Sequence, residues 1–199
     1  MQGKICVVTG ASRGVGKGIA LALGSQGATV YVTGRSLKSA TDAGLGGTLE
    51  DTAAEITARG GQGIAVQCDH GDDDSVRALF EQVKSEHGQL DILVNNAIAL
   101  PPGLTEVAPF WQKSLDELSL LDVGLRSNYV AAWHAAPLLV ESRGLLAFTS
   151  SFGGTCYMHG PAYGAGKAGT DKMAHDMAHD FKPHGVTVVS LWLGLVKTE

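Results

Sequence analysis

The chain has 199 residues, 44% hydrophobic and 18% charged, with 15 Lys and Arg against 20 Asp and Glu and a formal net charge of −5. That length and balance predict one globular domain over residues 1–199, and the negative charge excludes a nucleic-acid or anionic-membrane partner held by bulk electrostatics. No run of about eighteen apolar residues occurs, so no membrane span is expected; with no signal peptide ahead of Ile5 and no Cys-x-x-Cys among Cys6, Cys68 and Cys156, a cytoplasmic protein with reduced thiols is expected.

From the N-terminus, the β-branched run Ile5–Thr9 reads as a buried strand. It is followed by the loop Thr9-Gly10-Ala11-Ser12-Arg13-Gly14-Val15-Gly16 and an amphipathic helix over Gly14–Ser25. Glycines at such a turn let the backbone close on a phosphate, and the helix N-terminus offers it free N–H groups. The strict Gly-x-Gly-x-x-Gly pattern fails at Ile19, and a Walker A loop fails at Ala11 and Gly18. What remains is Thr-Gly-x-x-x-Gly-x-Gly in the strand–turn–helix setting of a nucleotide site. A second strand, Thr29–Thr33, runs into Gly34-Arg35-Ser36. Domains that take NAD place an acid there for the ribose 2′-hydroxyl. Gly34 removes the acid, and Arg35 with Arg13 offers guanidinium donors to a 2′-phosphate, so NADP(H) is predicted over NAD(H); two solvated arginines are the alternative.

A loop over Ser36–Gly47 leads to a helix over Thr48–Arg59, where Thr48 and Asp51 have the spacing of a capping box. A strand at Ile64–Cys68 precedes a helix over Ser75–His87, with Asp73 or Asp74 as its N-cap. The strand Leu90–Asn95 enters Asn96-Ala97, then a long loop, Ile98–Ser114, suited to covering a site. One helix over about Leu115–Glu141, a strand at Leu145–Ser150, a helix over Pro161–Lys182 and a strand at Val186–Trp192 complete the series, with Gly27, Gly60, Gly88 and Gly185 where helices end. Such alternation implies right-handed crossovers and an α/β doubly wound parallel sheet.

On the last long helix Tyr163 and Lys167 are spaced to share one face. A free phenol, with a pKa of about 10, is too weak an acid for proton transfer at neutral pH, and a neighbouring ammonium favours its ionised form. Ser151 is placed to hydrogen-bond the same substrate oxygen. Alone, the Tyr-x-x-x-Lys spacing is equally a coincidence of one helix face. His175 and His179 flank Asp176 at zincin-like spacing, but no third ligand is evident and no metal site is predicted. Phe110, Trp111 and Trp133 are assigned to core or interface packing, and Cys156, near Ser151, is given no catalytic role.

Thr9-Gly10-x-x-x-Gly14-x-Gly16, then Asp91-Ile92-Leu93-Val94-Asn95-Asn96-Ala97, then Ser151, Tyr163 and Lys167, occur in the order and spacing that resemble the short-chain dehydrogenase/reductases, over the whole chain. Val123-Gly124-Leu125-Arg126 and the glycine-flanked tyrosine are similar to the SDR family member one subgroup. The resemblance implies a Rossmann-type sheet of order 3-2-1-4-5-6-7, here six strands (3-2-1-4-5-6) with the usual seventh missing. It implies a nicotinamide cofactor and hydride transfer to or from a small-molecule carbonyl or secondary alcohol, with a homo-oligomer as a candidate assembly. By the same resemblance Tyr163 is the general acid/base, Ser151 positions the substrate oxygen, and Lys167 lowers the tyrosine pKa and bonds the nicotinamide ribose. Ser151 is preferred to Ser150 because the family serine is followed three residues later by a glycine, here Gly154. The cofactor contacts implied are Gly10, Ser12, Arg13, Gly14, Val15 and Gly16 in the phosphate loop, Arg35 at the ribose and Asp69 at the adenine edge. Asn95, which would hold the fourth strand near the ribose, and Ala97 follow, with Thr198 at the carboxamide.

Three departures stand against the resemblance. The family's asparagine on the fourth long helix, which helps hold a water-mediated proton path, is Gly124 here, with Asp122 the nearest side chain to compensate. The Pro-Gly after the sixth strand is Leu193-Gly194, which gives up a fixed φ. With Glu199 the last residue, the substrate-covering helices, the seventh strand and much of a dimer interface are expected to be missing, which leaves Val186–Trp192 as a sheet edge. A non-catalytic or truncated nucleotide-binding protein of the same fold is therefore the second expectation.

Overall fold

The computed structural model describes residues 1–38 and 46–198, so part of the expected loop Ser36–Gly47 lies outside the described residues. Six strands, β1 (Ile5–Thr9), β2 (Thr29–Gly34), β3 (Gln62–Gln67), β4 (Ile92–Asn95), β5 (Leu145–Ser150) and β6 (Thr187–Trp192), form one parallel sheet in the order β3-β2-β1-β4-β5-β6. This is the doubly wound order expected, with β3 and β6 at its edges.

The helices are α1 (Gly14–Gly24), α2 (Leu49–Ala58), α3 (Asp73–His87), the single turn α4 (Ser119–Leu121), α5 (Ser127–Ser142) and α6 (Pro161–Phe181). Strand side chains alternate between two faces, and the two cores follow that alternation. Cys6, Val8, Val30 and Val32 pack with Ala20 of α1 and Leu49 and Ile56 of α2. Val7, Tyr31, Leu93, Leu146 and Phe148 pack on the other face with Leu79 and Phe80 of α3, Leu139 of α5 and Phe181 of α6. Both faces of the sheet are covered, which is why the strands read as nearly continuous apolar runs.

Two expectations are corrected. The N-cap of α3 is Asp72, not Asp73 or Asp74: its backbone is extended (φ −111, ψ 114) and its carboxylate accepts from the Asp74 amide at 3.0 Å. The single helix expected over Leu115–Glu141 is broken into a 3-10 turn (Leu115–Leu118), α4, a wide turn (Asp122–Arg126) and α5. The break lies at Val123 (φ −110, ψ 95) and Gly124 (φ 143), a backbone that a residue with a Cβ rarely takes. Ser127 Oγ accepts the freed Gly124 amide at 3.1 Å, and Arg126 makes a two-pronged bond to Asp73 of α3 at 2.7 and 2.6 Å.

The packing of α2 on β3 leaves no room at Gly63, where a Cβ would lie 2.1 Å from the Ala53 carbonyl oxygen. Gly63→Ala should therefore destabilise the fold by about 1–3 kcal/mol through overpacking. A urea midpoint equal to that of the unaltered chain would show that this contact yields freely.

Candidate active site

The strand order reverses between β1 and β4, the place where open α/β sheets hold ligands. A cleft of about 550 Å³ opens there, at the C-terminal ends of β1, β4 and β5. Its shape is set by Thr9, whose hydroxyl accepts the amides of Asn96 (2.8 Å) and Ala97 (2.9 Å). The Asn96 side chain returns the link, donating to the carbonyls of Thr9 (2.9 Å) and Gly10 (3.1 Å). A Cβ at Gly10 would sit 2.8 Å from Ala97 Cα, and one at Gly16 would sit 2.3 Å from the Gly10 carbonyl oxygen, so both positions need glycine. The loop is thus folded flat, with the N-terminus of α1 open to the cleft.

The cleft wall contains Gly10, Ser12, Arg13, Gly14, Val15, Gly16, Arg35, Ala97 and Thr198. These residues suit a dinucleotide: a loop too tight for side chains beside a helix N-terminus, with two guanidinium groups on the same wall. Two expected residues, Asp69 and the strand-holding Asn95, are not part of the cleft wall. Asp69 is exposed, and its carboxylate accepts from the Gly71 amide at 2.9 Å. Asn95 is buried and braces β4 against α5, its side-chain amide donating to the Asn128 carbonyl at 3.0 Å; Asn96 lines the cleft instead.

A residue the sequence did not single out is His70, which is buried and lines the cleft beside Cys68. Its Nε2 is 2.9 Å from Thr33 Oγ1. Burial pushes its pKa down to about 4, with Asp69 opposing weakly. The available signal was a histidine just past the third strand, after Cys68-Asp69, level with the end of β2.

At the other end of the cleft Ser151 Oγ lies 3.0 Å from the Tyr163 hydroxyl. Ser150 also lines the cleft, but its hydroxyl is directed to the Lys167 carbonyl oxygen at 3.5 Å and not to Tyr163. The Tyr163 ring lies against Gly153, where a Cβ would meet Cε1 at 2.6 Å. One turn along α6, Lys167 Nζ donates to the Thr149 carbonyl at 3.0 Å and sits 5.7 Å from the Tyr163 ring centre. Burial lowers the Lys167 pKa, with the Asp171 carboxylate pulling the other way.

The departures from the family pattern take definite form. Asp122 is exposed and does not replace the missing asparagine. The side-chain amide that reaches Gly124 belongs to Asn128, one turn on, donating to the Gly124 carbonyl at 2.5 Å; Thr170 of α6 reaches the same oxygen at 3.4 Å. A small cavity of about 10 Å³, near the size of one water, lies between Gly124, Tyr163 and Lys167. Leu193 in place of proline donates its amide to the Ser150 carbonyl at 3.2 Å, a bond that proline lacks.

Other assignments are corrected or placed. Phe110, Trp111 and Trp133 are 60, 71 and 65% exposed, so none is a core residue. Cys156 is exposed, while burial pushes the thiols of Cys6 and Cys68 up to about 12 and about 11. His175 and His179 sit edge to face on α6, and no group of three metal-ligating side chains occurs among the described residues. Among the described residues no helix is long and apolar enough to cross a membrane.

A family model described as short chain dehydrogenase matches residues 4–199. Dehydrogenase/reductase SDR family member 1 from Mus musculus and from Homo sapiens are each 45% identical over 206 residues, covering 100% of this chain and 62% of theirs. The chain thus spans 62% of the length of these relatives. A 2-dehydro-3-deoxy-D-gluconate 5-dehydrogenase from Pseudoalteromonas atlantica is 31% identical, over 100% of this chain and 74% of its own. Among solved structures, a metagenomic short-chain oxidoreductase in complex with NADP superposes with a TM-score of 0.84 at 32% identity, over 98% of this chain and 84% of its own. A short chain dehydrogenase from Burkholderia cenocepacia in complex with NADP gives a TM-score of 0.83 at 34% identity, over 100% and 76%.

The buried His70 has a pH consequence. Its pKa is about 4 in the fold against 6.5 ordinarily, so the unfolded chain binds the extra proton between those values. Its contribution is complete above pH 6.5 and is lost as pH falls towards 4, by about 3 kcal/mol in all. His70→Gln, which keeps a hydrogen bond to Thr33 without the titration, should flatten the urea-midpoint profile over that window; an unchanged slope would refute this account.

Proposed function

The chain belongs to the short-chain dehydrogenase family, and on that premise we propose that it is an oxidoreductase that moves a hydride between NADP(H) and a carbonyl or secondary-alcohol carbon. The observation that carries this reading is the pair of hydroxyls of Ser151 and Tyr163, 3.0 Å apart at the end of the cleft, with the Lys167 ammonium beside them. Two such donors can hold one carbonyl oxygen. Tyr163 gives its proton to that oxygen as negative charge develops there, and takes one from an alcohol in the reverse direction. Ser151 holds the oxygen in line. Lys167, fixed by the Thr149 carbonyl, supplies positive charge at the phenol's side of the site.

When bound, the nicotinamide supplies the hydride. The residues that would hold the cofactor are the Gly10–Gly16 loop at its diphosphate, Arg13 and Arg35 at a 2′-phosphate, and Thr198 towards the carboxamide. The NADP in the two structural relatives supports this preference without extending to this chain's own specificity. The cleft lining includes Leu100, Leu104, Phe152, Met158 and Leu195, which suits a substrate with an apolar substituent. A single domain, a cytoplasmic setting and a homo-oligomer belong to the same reading. A second reading, nucleotide binding without turnover, is favoured by Gly124, which lacks the amide side chain of the family pattern.

NADPH binding followed by fluorescence, and NADPH oxidation with a panel of ketones and aldehydes, separate the two; binding without oxidation favours the second. Tyr163→Phe should lower turnover by about a hundred- to ten-thousand-fold while NADPH still binds. Ser151→Ala should cripple turnover and Ser150→Ala should not; the reverse result reassigns the serine. Arg35→Ala should weaken NADPH binding by about tenfold or more and leave NADH nearly unaffected; equal affinity for both in the unaltered chain sinks the NADP(H) preference.

A further inference from the structure

Lys113 and Glu117 belong to none of the roles above, yet their side chains are only 5 and 9% exposed and meet at 2.8 Å. An ammonium has three donors, and this one has three partners. They are Glu117 Oε1 at 2.8 Å and the carbonyls of Leu104 and His159, each at 3.3 Å. The partners come from the 3-10 turn after Lys113, the long loop after β4, and the stretch that enters α6. A buried ion pair is a weak source of stability, because desolvation offsets much of the attraction. What this pair does is join three segments at one point.

Two of those segments are walls of the cleft. Leu104 and His159 both line it, and the His159 ring stands edge-on to Tyr163 with centres 5.1 Å apart. His159 holds φ at 57°, and among the described residues Arg143 is the other non-glycine position with positive φ. A left-handed backbone at such a residue needs its surroundings to hold it, and the Lys113 bond to its carbonyl does so. The following Gly160, with φ at 103°, packs on the same pair: a Cβ there would lie 3.6 Å from Glu117 Oε2 and 3.8 Å from Lys113 Nζ.

We propose that Lys113, neutralised by Glu117, is a positioning residue for the substrate wall. It clamps the loop after β4 to the entry of α6 through the Leu104 and His159 carbonyls. The clamp fixes the His159 ring against Tyr163 and sets the width of the carbonyl site, so substrate range depends on a charge that touches no substrate. This rests on the oxidoreductase reading and names what within it selects the substrate's bulk.

The test uses Lys113→Met and the double variant Lys113→Met/Glu117→Leu, since replacing both members of a buried pair by apolar groups usually preserves the fold. Both variants should keep NADPH affinity within about twofold and exchange the Leu104, Glu106 and Gly164 amides faster in hydrogen–deuterium exchange. KM for an aryl ketone should rise by about tenfold, the scale of a lost charge-assisted hydrogen bond, with kcat and the KM of a short aldehyde changing much less. A double variant with unaltered exchange and unaltered KM would reduce the pair to a structural role and overturn the proposal. So would loss of NADPH binding and turnover together in that variant. Should Lys113→Met alone fail to fold, the double variant decides. If the unaltered chain binds NADPH but oxidises it with none of the carbonyls tested, the oxidoreductase reading fails by itself, and the exchange data still decide the clamp.

Discussion

The contact between the glycine loop and the chain leaving β4 places everything else in the cleft. Gly10 lies against Ala97 and Gly16 against Gly10, at distances that a single added carbon would violate. The Thr9 hydroxyl, inside that contact, accepts both amides that follow β4. The order of the sheet reverses between these same two strands, so the crevice opens where the backbone is most tightly held. A flat loop on one side and a pinned strand end on the other leave the N-terminus of α1 facing the cavity, and β5 then delivers Ser151 to the far end of it.

The architecture was legible because the four inner strands are largely buried and the series is flanked by amphipathic helices, a pattern with few topological solutions. Most element limits follow from it, while the strand order is what the family resemblance implies, and the sheet has that order. What escaped the pattern were positions where a local bond competes with periodicity. Apolar spacing runs on through Leu115–Glu141, yet Gly124 takes a conformation outside the helix and Ser127 receives its amide. At α3, three consecutive aspartates look equivalent in sequence, and only the extended backbone of Asp72 makes it the cap. The aromatics Phe110, Trp111 and Trp133 read as core or interface by residue type, and their exposure removes the core alternative, since it depends on which side of each element faces out.

In the site, spacing on one helix was enough to bring Tyr163 and Lys167 together, and the order of motifs brought Ser151 to them. The choice between Ser150 and Ser151 is a matter of which hydroxyl meets the phenol: both residues line the cleft, but the Ser150 hydroxyl turns to the Lys167 carbonyl and the Ser151 hydroxyl to Tyr163. Residues whose roles depend on tertiary position were not legible. His70 becomes a cleft wall only because β2 and β3 end level with each other, which sets Thr33 beside it. Asn95 and Asn96 are indistinguishable in sequence, but alternation sends the first into the seam with α5 and the second into the cleft.

The two substitutions that read as losses in the sequence are each hydrogen-bonded in the fold. Without a Cβ, Gly124 lets the chain turn sharply ahead of α5, and its carbonyl receives the Asn128 amide from one turn further and the Thr170 hydroxyl from α6. The amide is displaced along the helix, and α5 is tied to α6 close to Lys167. Leu193 gives up the fixed φ of proline but gains an amide, which bonds the Ser150 carbonyl and extends the β5–β6 ladder by one step. Proline would have left that carbonyl without this donor. Gly124 therefore keeps its amide and its carbonyl paired and Leu193 its amide, so what position 124 lacks is the side-chain amide of the family pattern and not a backbone partner.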